Sequence, residues 1–204
     1  MRYASAHKQR TRERILVEAG RQFRKKGGEA VRVADVMQAA GLTIGGFYKH
    51  FADKDELFQE AVMGALEEVA ARWSAAAGRV SRAEALRGVI REYLSEGHLE
   101  HPELGCALAA MGTEMARMPA AMKQAVSGAL DAYAERLDFV MPGETAEERR
   151  EGFLVLFPSM AGCLMTARAY ASQERQRQVL EAGRKYFEKA FCGEEPGKSA
   201  EELQ

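Results

Sequence analysis

Residues 32–51 read RVADVMQAAGLTIGGFYKHF, from Arg32 to Phe51. Two short patterned segments flank Ala40-Gly41-Leu42, and Gly41 suits the positive φ that a tight turn demands. Val33, Val36 and Met37, with Leu42 and Phe47, supply a small shared core. The pattern predicts one helix over Val33–Ala40 and another over Ile44–His50, with Thr43 as N-cap of the second. Ile44, Gly45, Tyr48 and Lys49 are then left on the outer face. This is helix-turn-helix geometry, in which the second helix offers its N-terminal turns to the major groove of DNA. The alternative is an ordinary helical hairpin with a solvated basic rim.

The flanks extend the pattern. Ile15, Ala19 and Phe23 recur every four residues and predict a helix from about His7 to Lys26, stopped at Gly27-Gly28. Asp53 and Glu56 form a capping-box-like start for a long helix whose apolar face carries Phe58, Val62, Ala65, Val69 and Trp73. Beyond it lie a fifth helix marked by Leu86, Val89, Ile90, Tyr93 and Leu94, a loop from His98 to Gly105, and a sixth helix to about Met118. A seventh is marked by Met122, Val126, Leu130, Tyr133 and Leu137, an eighth spans Glu147–Ala171 and a ninth Gln173–Phe191. No segment alternates with period two, so the expected class is all-α with nine helices. The expected division is a head over 1–52, a body over 53–192 and a frayed tail over 193–204.

Charge separates the same parts. Residues 1–52 hold eleven Lys/Arg against four Asp/Glu, a balance of +7, and the rest of the chain carries −8. The overall net charge of −1 hides this asymmetry, which directs only the head toward a polyanion. Lys8, Arg10, Arg12 and Arg14 suit phosphate tracking or a minor groove. Thr43 with the free N–H groups behind it, and Lys54 near the next helix start, suit phosphate contacts. The base-reading face is poor in polar groups: only Tyr48, Lys49 and His50 offer hydrogen bonds. Ile44 suits a thymine methyl, and Gly45-Gly46 allow close backbone approach. Readout weighted to shape and phosphate positioning follows.

Taken together, Ile15-Leu16 through Phe23, Gly27-Gly28, Val33-x-x-Val36, Ala40-Gly41-Leu42-Thr43, Gly46-Phe47-Tyr48-x-His50-Phe51 and Asp53 to Phe58 closely resemble the tetracycline-repressor (TetR) family of bacterial regulators. The resemblance covers about a quarter of the chain. It implies an all-α homodimer whose first three helices bind double-stranded operator DNA. A fourth helix links them to a divergent body that takes a small molecule and releases the operator. Arg32 departs from the family, which usually carries Ser or Thr there. Arg cannot accept from the free N–H groups, a loss of roughly 1 kcal/mol, and contact with a phosphate is the compensating expectation.

The body offers less. The eighth helix is apolar on nearly every side and must be buried all round. Packing of helices eight and nine against their copies in a second subunit is expected through Phe153, Leu156, Met160, Leu164, Val179, Tyr186 and Phe187. The alternative is the central core helix of a monomer. Pro158 is expected to kink this helix. Tyr93, His98, Tyr133 and Phe157, with Met111, Met115, Met122 and Met160, are the candidate lining of an effector pocket. With no basic cluster in an apolar body segment, an apolar or aromatic effector is expected. Cys106 opens the sixth helix and is either a packing residue or a redox- or electrophile-sensing thiol, which is the alternative regulator on the same fold.

His98-x-x-His101 lacks further ligands, so neither metal nor cofactor is expected. Three widely spaced cysteines point to a reducing compartment, hence a cytoplasmic protein. The uncharged run Gly152–Ala167 falls short of the ~20 residues of a membrane span. Motifs of an enzyme (nucleophile elbow, H-E-x-x-H, P-loop) are missing. A helical enzyme and a protein-interaction module remain the competing classes.

Overall fold

The computed structural model describes residues 2–75 and 80–193, with the backbone alone described for 2–5, 70 and 73–75. The side chain of Trp73 and the tail from 194 therefore lie outside the described residues. Among the described residues every regular element is helical: α1 (Arg2–Lys26), α2 (Val33–Ala39), a 3-10 helix (Ile44–Lys49), α3 (Lys54–Ala75), α4 (Arg82–Tyr93) and α5 (Glu96–Glu100). A 3-10 turn (Pro102–Leu104), α6 (Ala107–Met115), α7 (Ala120–Leu137), α8 (Ala146–Ala169) and α9 (Gln173–Cys192) follow. The chain forms two compact units, Met1–Val69 with His101–Asp131, and Ala70–Glu100 with Ala132–Gln204.

The first unit is built on the apolar stripe of α1. Ile15, Ala19 and Phe23 are fully buried and share one core with Val36, Met37, Phe47, Leu57, Val62, Met111 and Met115. That sharing is why the compact unit does not end near residue 52: the head's three helical segments close their core on α3, α6 and α7. Helix α1 begins five residues before the expected start at His7, because Arg2 to Lys8 includes good helix formers that need no buried face. It ends at Gly27, whose φ is 81° and whose N–H donates to the Phe23 carbonyl at 2.8 Å. Arg24, Lys25 and Lys26 meet the negative end of the helix dipole there.

The turn after α2 follows from Gly41. Its φ of 68° lets its N–H donate to the Gln38 carbonyl (2.9 Å) while Leu42 N–H donates to that of Met37 (2.8 Å). Both bonds close a Schellman motif. At α3, Asp53 Oδ1 accepts from Glu56 N–H at 2.8 Å and the Glu56 carboxylate accepts from Ala52 N–H. Leu57, Ala61, Val62, Ala65, Leu66 and Val69 of α3 are buried.

The second unit rests on α4, α8 and α9. Capping boxes start α4 (Ser81 with Glu84) and α8 (Thr145 with Glu148). Leu86, Ile90, Tyr93 and Leu94 bury the inner face of α4. Gly183 marks the close approach of α9: a Cβ there would lie 3.1 Å from Leu94 Cδ1 and 3.3 Å from Cys163 Sγ. Buried Arg87 donates to the carbonyls of Cys192 and Gly193 and caps α9. The segment expected as a loop from His98 instead holds α5 and the 3-10 turn. Arg168 Nη2 donates to the His98 carbonyl at 2.6 Å and Nε to that of Leu99 at 3.3 Å, satisfying carbonyls at the end of α5. Helix α8 runs through Pro158 without a break, with the proline exposed on its outer side.

Candidate nucleic-acid interface

The element expected as an α-helix over 44–50 is a six-residue 3-10 helix. Gly45-Gly46 are poor α-helix formers, and Gly46 N–H donates to the Thr43 carbonyl at 3.0 Å in the tighter pattern. Phe47 is 2% exposed, stacks on Phe51 at 5.6 Å and anchors the segment from beneath. Ile44 is 56% and Tyr48 77% exposed, and Gly45 and Lys49 are exposed beside them. Neither Gly45 nor Gly46 has a positive φ. A Cβ at Gly45 would meet open space, so the backbone there is uncovered. Thr43 has the extended backbone of an N-cap, yet its side chain makes no cap hydrogen bond, which leaves the hydroxyl exposed on the surface.

The cations of the head divide into two sets. Lys8, Arg10 and Arg14 are exposed. Arg12 is committed instead: its guanidinium makes a bidentate pair with Glu60, lies 3.8 Å from Glu56 and sits 4.5 Å above the Phe51 ring. Those bonds and charges raise its pKa further above the usual value. Arg32 provides no side-chain cap for α2 and forms a bidentate pair with Asp35 at 2.8 and 3.0 Å. The hydrogen bond from Arg32 holds the Asp35 carboxyl below its usual range. Lys54 is half-buried and donates to the Glu29 carbonyl at 3.1 Å. His50 is half-buried, and burial, with Lys8, Arg12 and Lys49 nearby, pushes its pKa down.

The expected effector residues are distributed over both units. Cys106, Met111, Met115 and Met122 fall in the first unit, where Cys106, Met111 and Met115 are buried and Met122 packs at the edge of the shared core. Cys106 is 2% exposed just ahead of α6. Tyr93, His98, Tyr133, Phe157 and Met160 fall in the second. There Tyr93 meets His98 (4.8 Å) and Phe157 (5.8 Å) edge-on, Tyr133 meets Phe157 (4.8 Å), and Phe153 stacks on Phe157 (5.2 Å). Phe153, Phe157 and Met160 also line a small apolar void of about 10 Å³, room for no more than a water. His98 Nδ1 lies 2.7 Å from the Tyr93 carbonyl, and among the described residues no group of three His, Cys, Asp or Glu gathers to hold a metal.

The expected subunit interface needs correction. Phe153, Leu156, Met160, Leu164 and Phe187 are at most 7% exposed, because they fill the chain's own core. Val179 is half-buried, and of the seven only Tyr186, 70% exposed, lies on the surface. The outer side of α8 carries Leu154 (57%), Val155 (59%) and Met165 (41%) instead. A helix apolar all round conceals which stripe faces inward, and that stripe is what the sequence reading missed. By length and composition α8 could cross a membrane, yet its inner stripe is packed in protein.

An exposed helix-turn-helix face on a basic head has the geometry of a DNA-binding helix-turn-helix unit. Residues 15–61 match the model of "Bacterial regulatory proteins, tetR family". Over that stretch, about a quarter of the chain, the sequence is similar to that family. It is 34% identical over 104 residues to an uncharacterized HTH-type transcriptional regulator of Mycobacterium tuberculosis, across 50% of this chain and 52% of that one. It is 42% identical over 60 residues to the HTH-type transcriptional regulator TtgR of Pseudomonas putida, across 29% and 28%. The matched stretches thus span about half, or less, of these relatives. The fold is that of a TetR transcriptional regulator from Chloroflexus aurantiacus, with a TM-score of 0.68 and 23% identity over 89% of this chain and 96% of that one.

Proposed function

We propose that this protein binds a palindromic operator as a homodimer and that a small, mostly apolar molecule in its body releases it from DNA. The observation that carries the DNA half is the exposed face of Ile44, Gly45, Tyr48 and Lys49, held out by buried Phe47 on a head of charge +7. Thr43, Gly46, His50 and the exposed cation Arg10 complete the contact surface. Arg32 and Lys54 reach phosphate only by giving up the partners described above. With so few hydrogen-bonding groups on the face, methyl contact, groove shape and phosphates carry the recognition.

The second copy docks through the exposed stripe of α8 with Tyr186 of α9, an apolar surface that a lone subunit leaves in water. The effector enters at the aromatic cluster around Phe157. The void there is too small for it, so binding selects a body conformation in which the rings have parted, and that unequal affinity for two states is the switch. Anisotropy titrations with a duplex that the protein selects from a random pool test the reading. Log affinity falls linearly with log salt, by about 0.9 for each phosphate neutralised. Binding that ignores salt and sequence contradicts it.

A further inference from the structure

The first unit contains a cleft of about 340 Å³ that the reading above does not use. This is within the size range of small-molecule sites, roughly 300 to 1,000 Å³. Phe58 forms one side, its ring held edge-on against Phe23 at 4.9 Å. Gly28 adjoins it, where a Cβ would be 3.1 Å from Phe58 Cε2, so the ring rests against bare backbone. Met118, Pro119 and Met122 supply the rest of the apolar lining, and two methionines make it adaptable.

The polar group of consequence is Glu114. Its Oε1 accepts from Gly28 N–H at 2.8 Å, while its Oε2 is buried and accepts no hydrogen bond. A carboxylate oxygen closed off from water without a donor is an unfavourable arrangement that a donor relieves. Two cations also line the cleft, Lys54, which spends a donor on the Glu29 carbonyl, and exposed Arg117, against the acids Glu29, Asp55 and Glu114. A cleft with an apolar floor, three carboxylates against two cations, and a Glu114 satisfied at only one oxygen matches one ligand chemistry.

We propose that this cleft binds a small amphipathic organic cation, with an amine or amidine on the Glu114 carboxylate, which turns to present Oε2, and an aromatic or branched body beside Phe58 and Met122. The site bears on the head directly. Glu114 and Lys54 fix Gly28 N–H and the Glu29 carbonyl, two backbone groups of the turn that leads into α2. A ligand that draws on Glu114 therefore acts on the turn that positions the helix-turn-helix. The site is separate from the aromatic cluster of the second unit, and its test involves no DNA.

The test is calorimetric titration of the full chain with benzamidine and 2-phenylethylamine, beside the neutral isosteres benzamide and 2-phenylethanol. The cations bind saturably and the neutral compounds at least about tenfold more weakly. Glu114→Gln keeps an acceptor for Gly28 N–H but removes the charge, and weakens the cations by about tenfold or more. Met122→Trp fills the cleft and abolishes binding with the thermal transition retained. Equal affinity for cation and isostere overturns the proposal, as does the absence of saturable binding or its survival in Met122→Trp. Should Glu114→Gln fail to fold, the isostere comparison and Met122→Trp decide.

Discussion

Replacing Arg12 separates its two roles, packing the head or touching DNA. The side chain is 24% exposed and forks onto Glu60, which is 34% exposed, while its guanidinium lies over Phe51. A hydrogen bond to a charged group contributes roughly 1.5 to 3 kcal/mol. The contact with the ring adds about 0.5 to 1 kcal/mol at a site this accessible. Partial exposure of both partners lets solvent screen the pair, so a coupling of about 1 to 2 kcal/mol is expected. Arg12→Ala therefore lowers stability by about 2 kcal/mol, and Arg12→Lys, which keeps the charge without the fork, by about 1. Urea unfolding of Arg12→Ala, Glu60→Ala and the double variant gives the coupling directly. In parallel, the salt slope of DNA binding is unchanged by Arg12→Ala and falls by about 0.9 with Arg10→Ala. A coupling below about 0.5 kcal/mol, together with a slope change in Arg12→Ala equal to that of Arg10→Ala, refutes the packing role.

Gly41→Ala forces a Cβ into a φ of 68° and costs about 1 to 2 kcal/mol in thermal or urea unfolding, although no atom crowds the site. His50 titrates lower in the folded protein than in the unfolded chain, so the unfolded chain takes up the proton first. Its contribution is complete above about pH 6.5 and is lost as pH falls toward the depressed folded value, a slope that His50→Gln removes from a stability–pH series. Val155→Arg, on the exposed stripe of α8, is expected to convert the proposed dimer to monomer in sedimentation velocity while leaving the melting of the secondary structure in place.

The head could be read almost residue by residue because its determinants are local. Gly41 sets a turn, Asp53 and Glu56 set a helix start, and a four-residue apolar spacing sets α1. These act through backbone conformation and short-range hydrogen bonds, which sequence spacing encodes. What spacing does not encode is which cation finds a partner across the chain. Arg10 and Arg12 look alike in the sequence, yet only Arg12 meets Glu60, 48 positions away. The same holds for methionines: Met111 and Met115 seal the core of the head while Met118 and Met122 line a cleft. Helix α8 failed as a guide for a different reason. When nearly every side is apolar, periodicity carries no information about the inward stripe, and Phe153, Leu156 and Leu164 were assigned to the wrong partner.

The most direct measurement is the affinity of Tyr48→Ala and Lys49→Ala for the selected duplex, beside the urea midpoint of each variant. Both side chains stand in solvent, so the midpoints stay at the wild-type value. Each variant loses about tenfold in DNA affinity, and Lys49→Ala also flattens the salt dependence by about one phosphate. Wild-type affinity in both variants would place DNA elsewhere on the molecule and contradict the account.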